Sequence, residues 1–98
     1  MGASPHHYKS ALKKANALIA TVQAYLNGRD INNLQLPIRT VCETRELAEK
    51  CSSMIGQLAT LNDELQKDSA QRKNYEDAIK NLESCKEALN KLEFEQIR

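Results

Sequence analysis

Cys42, Cys51 and Cys85, with the adjacent pair His6 and His7, are the side chains of this 98-residue chain best suited to nucleophilic or metal chemistry. Their spacing supports neither. The cysteines are odd in number, contain no C-x-x-C pair and have no histidine close by, which argues against a disulfide framework and a zinc site. Adjacent histidines point about 100° apart on a helix, so His6 and His7 cannot jointly face one ligand. Nothing beside Cys42 suggests an activated thiolate: the charges that follow it closely include Glu43 and Glu46, where a nucleophile would call for a cation or a histidine.

The carboxylates tell the same story. They recur as Glu46 with Lys50, Glu76 with Lys80 and Glu87 with Lys91, a spacing of four that supports exposed helix faces rather than an isolated acid and base. No Gly-rich phosphate loop, Ser-His-Asp set, H-E-x-x-H or calcium loop is present. No catalytic, cofactor-binding or metal-ligating residue is therefore assigned, no small-molecule substrate is expected, and the chain is read as non-enzymatic.

What the residues do carry is helical periodicity. Ala11, Ala15, Leu18, Val22 and Tyr25 form one apolar stripe, Val41, Ala48, Cys51, Ile55, Leu58 and Leu65 a second, and Tyr75, Ala78, Leu82, Cys85, Leu89 and Leu92 a third. Steps of three and four keep each set on one helix face that must be hidden against another helix. The stripes place Cys51 and Cys85 inward and Cys42 outward. Aromatic residues make up only 4% of the chain, so the core has to be built from Leu, Ile and Ala, poor material for a deep cofactor pocket.

Punctuation sets the boundaries. Ser4-Pro5 is a start signal and Asn27-Gly28 a stop, which predicts helix one over about 5–27. The stretch 28–36, with Asp30, Asn32 and Asn33 among Ile31, Leu34 and Leu36, reads as a connector in which Asp30 can cap a short turn. Pro37 is tolerated only in a first helical turn, so helix two is predicted over about 37–66, with Gly56 on its polar face. Lys67-Asp68-Ser69 offers a cap for helix three, about 70–96, yet contains neither Gly nor Pro. A continuous helix through that point would need a second chain to cover it, whereas a hairpin lets three helices cover one another. The expectation is one all-α domain over 1–98, an antiparallel up-down-up three-helix bundle.

Charge is distributed unevenly although the net is only +1. Residues 1–29 hold Lys9, Lys13, Lys14 and Arg29 and no acid, and all thirteen acids lie beyond them. On helix one, Lys9 and Lys13 share the face opposite the stripe with Ala17, Ala20 and Ala24, small residues that permit close approach of another helix. Phe94 falls on the side of Glu76, Glu83 and Glu87 rather than with the Leu stripe, as an aromatic anchor for a partner would.

Lys9, Lys13, Ala17, Ala20, Ala24 and Phe94 are thus the candidate partner-binding residues. The expected function is an intracellular protein-protein interaction module, an adaptor, scaffold or coiled-coil-like small subunit of a helical assembly, whose partner is another protein engaged through a helix. The alternative is electrostatic binding of nucleic acid or anionic membrane through helix one. Unpaired cysteines point to a reducing, cytoplasmic setting. The longest apolar run, Ala17-Leu18-Ile19-Ala20, is far short of the roughly 20 residues that span a bilayer.

Overall fold

The computed structural model describes residues 5–28, 38–65 and 70–97, which form three helices: α1 (Pro5–Gly28), α2 (Ile38–Glu64) and α3 (Ala70–Ile97). Ser4 as a cap, the connector from Arg29 to Leu36, Pro37 at a helix start and the cap at Lys67-Asp68-Ser69 lie outside the described residues. The protein is a three-helix bundle, and the contacts at its two ends define its directions. Tyr8 of α1 meets Glu64 at the end of α2 and Tyr75 near the start of α3. Tyr25 of α1 meets Thr44 near the start of α2, and Arg45 of α2 meets Glu93 near the end of α3. Helix α2 therefore runs antiparallel to both others, which is up-down-up.

The bundle is a rod of 49 × 19 × 17 Å. Helices of 27 and 28 residues are about 40 Å long, so their lengths set the long dimension, and a width of two helices leaves no interior remote from solvent. The most extensive packing is between α2 and α3, with α1 laid against the pair. The core alternates small and large residues: Ala11, Ala15 and Val22 of α1, Ala48, Cys51 and Leu58 of α2, and Tyr75, Ala78, Leu82, Cys85 and Leu89 of α3. Small residues facing Leu and Tyr let the helices interdigitate.

The third stripe is buried as its spacing predicts up to Leu89, with Leu92 half-buried near the helix end. The first two are broader than the heptad series. Ile19 and Leu61, which lie beside the series, are buried while Leu18, Tyr25, Val41, Ile55 and Leu65 within it are half-buried; Tyr8, Thr44 and Asn62 continue the series and are buried. Each helix of a three-helix bundle faces two neighbours, so its buried sector is wider than the two-position seam of a coiled coil. Thr44 is fully buried because its hydroxyl meets that of Tyr25 at 2.6 Å. Asn62 Oδ1 is buried with no hydrogen-bond partner among the described residues.

The far end of α2 is closed from outside the helix. The Arg72 guanidinium donates to the Leu65 carbonyl at 3.0 Å, an oxygen beyond the reach of the helix's own N–H groups, and to the Asn62 carbonyl at 3.3 Å, which also accepts from the Leu65 N–H at 3.1 Å. Arg72 also lies 3.6 Å from Glu76, so Glu76 takes its cation from the preceding turn rather than from Lys80. Gly56 is exposed in the middle of α2, and a Cβ there would touch nothing within 4 Å.

Candidate interaction surface

Helix α1 turns Ala11, Ala15 and Val22 into the core, and one half-turn away it presents Lys9, Lys13, Ala17, Ala20 and Ala24, all exposed. The five residues form a continuous outward face about 22 Å long, at 1.5 Å rise per residue. Its charges are cationic only, since α1 contains no Asp or Glu. Thr21, beside this row, returns its hydroxyl to the Ala17 carbonyl at 2.9 Å, so it adds little polarity to the surface.

Phe94 does not join this face. It stands on α3, 67% exposed, and Ile97 one turn on is 58% exposed. Seven and four residues before Phe94 are Glu87 and Asn90, which places all three on one side of α3. That side borders a solvent-open groove between α2 and α3 with a volume of about 500 Å³, lined by Ser52 and Ile55 from α2 and by Glu83, Lys86, Glu87 and Asn90 from α3. A second hollow of about 310 Å³ shares Ser52, Lys86 and Asn90 and extends the groove to Arg45 and Glu93. No α1 residue lines either hollow, so the groove opens on the side of the α2–α3 pair that α1 leaves uncovered.

The groove is acidic. Arg45 is engaged by Glu93 at 2.9 Å, a pairing that raises the Arg45 pKa through the hydrogen bond and the charge of Glu93. Lys86 is then the remaining cation against Glu49, Glu83 and Glu87 along the lining. Sequence spacing contained the raw signal for Ile97, three residues after Phe94. The groove itself had no such signal, because it exists only where two helices meet.

The cysteines fall as the stripes predict, Cys42 exposed, Cys51 and Cys85 buried. Burial pushes both inner thiols up from their ordinary pKa, and the neighbouring Cys85 pushes Cys51 further, which makes them core-filling groups rather than nucleophiles. His6 and His7 are exposed on consecutive positions of α1. Among the described residues no three His, Cys, Asp or Glu side chains converge to hold a metal ion, and no helix is long and apolar enough to cross a membrane.

Comparison with protein-family models, with curated proteins and with solved structures found nothing that matches this chain.

Proposed function

We propose that this protein is a non-enzymatic intracellular interaction module, an adaptor, scaffold or small subunit of a helical assembly, that binds another protein by packing helix against helix. The observation that carries this reading is the outward face of α1. From Lys9 to Ala24 it is exposed, free of acids and smooth with alanine, while the opposite face of the same helix is closed in the core. A partner helix can approach such a surface closely without any core residue having to move. Phe94 supplies a second exposed apolar contact on α3. The three free cysteines fit a reducing compartment.

The test compares two variants of the immobilised chain in capture from a native lysate, with bound proteins identified by mass spectrometry. Ala20→Glu places a charge in the middle of the alanine row, and should abolish capture while leaving helicity and melting nearly unchanged, because the position is off the core. Changing Lys9, Lys13 and Lys14 together to Gln should matter less.

A second reading is favoured by one observation: Lys9, Lys13 and Lys14 are all exposed on a helix without acids. On that reading α1 binds nucleic acid or anionic membrane electrostatically. Binding to a short DNA duplex, or to vesicles containing phosphatidylserine, would then fall steeply with salt, and the lysine changes would outrank Ala20→Glu.

A further inference from the structure

The two surfaces described above match each other. Lys13, Ala17, Ala20 and Ala24 follow one another at steps of four, three and four; so do Glu83, Glu87, Asn90 and Phe94. Each row is about 16 Å long at 1.5 Å per residue. One is cationic and smooth, the other acidic and bordered by a groove. We propose that the α2–α3 groove of one copy receives the outward face of α1 from a second copy, joining chains head to tail. The inference rests on the interaction-module reading and names its partner.

Charge supports the pairing. Glu49, Glu83 and Glu87 outnumber Lys86 along the groove, with Arg45 already held by Glu93, whereas the α1 face offers Lys9 and Lys13 and no acid. Charge also selects the direction. With the incoming α1 parallel to α3, Lys13 lies beside Glu83 and Glu87, and Ala20 and Ala24 lie beside Asn90 and Phe94, where small side chains leave room for the exposed ring. Antiparallel docking would carry Lys13 to Phe94 and strand Glu83 opposite Ala24. Opposite charges at flanking positions set partner and orientation in just this way in coiled coils.

Size supports it too. The groove is shallow and open, so only a helix with small contact residues can sit low enough to touch both walls. The chain already packs α1 this way once, through Ala11 and Ala15 on its inner face; Ala17, Ala20 and Ala24 repeat the same chemistry on the outer one. Because the donor face and the receiving groove are different surfaces, each dimer retains one free copy of both, and association is open-ended or closes into a ring.

The test is sedimentation velocity on the full chain at concentrations up to about 300 µM, the range suited to a weak interface. The unmodified chain should gain mass as concentration rises. Lys9→Glu with Lys13→Glu, and separately Glu83→Lys with Glu87→Lys, should each weaken association by at least about tenfold, since like charges then face each other. Mixing the two variants should restore it, because groove and face are complementary again across every contact. A strictly monomeric wild type, association unchanged in both variants, or a mixture that stays monomeric while both variants keep wild-type helicity, would each overturn the proposal. Carbodiimide cross-linking of the unmodified chain gives a measurement that does not depend on how variants fold. Peptides joining Lys13 to Glu83 or Glu87 between isotopically distinct copies support the docking, and a cross-linked dimer without them refutes it. A monomeric chain that still captures a lysate protein through Ala20 would remove this inference and leave the interaction-module reading standing.

Discussion

The hydroxyl of Tyr75 in α3 donates to the backbone carbonyl of Tyr8 in α1 at 2.5 Å, and the two rings meet edge to face, 6.3 Å between centroids at 69°. Tyr8 in turn donates its own hydroxyl to Glu64 of α2 at 3.1 Å. One pair of rings therefore ties all three helices at one end of the rod. Tyr75→Phe keeps the ring contact and removes the hydrogen bond, so it should cost about 1 kcal/mol. Tyr75→Ala also empties a fully buried site and should cost about 3 to 5 kcal/mol. Urea denaturation of the two variants checks the ranking; equal losses would mean that the ring contributes nothing beyond its hydroxyl.

Core truncations should follow the observed burial rather than the heptad series. Leu58→Ala and Leu82→Ala, both at 0% exposure, are expected to cost about 2 to 5 kcal/mol through lost burial and a residual cavity. Ile19→Ala should cost more than Leu18→Ala, since Ile19 is buried and Leu18 half-buried. Chemical denaturation of the four variants measures the order.

Gly56 is a place where the chain can be stabilised. It is exposed within a continuous helix and a methyl group there meets open space, so Gly56→Ala should raise stability by about 0.5 to 1 kcal/mol through the reduced freedom of the unfolded chain. A decrease in melting temperature would show that α2 bends at this residue.

The three cysteines should separate by rate of modification. A thiol reagent under native conditions should label Cys42 quickly and leave Cys51 and Cys85 protected until the bundle opens, because only Cys42 is exposed. Mass spectrometry of the digest identifies the modified residue. Uniform labelling would mean that α2 and α3 separate readily in the folded state.

Alkaline pH should destabilise the fold. Burial holds the Cys51, Cys85 and Tyr75 protons above their ordinary pKa values. The folded chain therefore keeps these protons to higher pH than the unfolded chain, whose exposed groups release them around about pH 8.5 for thiols and 10 for tyrosine. Above those values the unfolded state binds fewer protons, so stability falls as pH rises through about 9 to 11 and is unaffected by these groups below about 8. Melting temperatures across that range measure the effect, and Cys51→Ala with Cys85→Ala should flatten its lower part.

Periodicity is local, and what depends on it was legible from the residues alone. Ala15, Val22, Leu58, Leu82 and Leu89 are inward, and Cys42, Ala20 and Phe94 outward, because 3.6 residues per turn assigns a face whatever the helix packs against. The helices themselves follow from the same rule and from Pro5, Gly28 and the stripes between. Tertiary structure decided how wide each buried sector is and which ends meet. Ile19 and Leu61 stand beside the series of threes and fours, yet both are buried, since a helix facing two neighbours hides positions that a single seam leaves in water; Thr44 and Asn62 fall within the series, at the two places where a polar residue interrupts the apolar stripe. That α3 folds back on α2 was signalled near Lys67 only by the cap that Lys67-Asp68-Ser69 offers, with neither Gly nor Pro beside it; the contacts that hold the return are the Arg72 guanidinium reaching the Leu65 and Asn62 carbonyls and Tyr75 reaching Tyr8. The groove beside Phe94 belongs to the same class, because its walls are contributed by residues some 30 positions apart, such as Ser52 and Glu83, and no local pattern can bring them together.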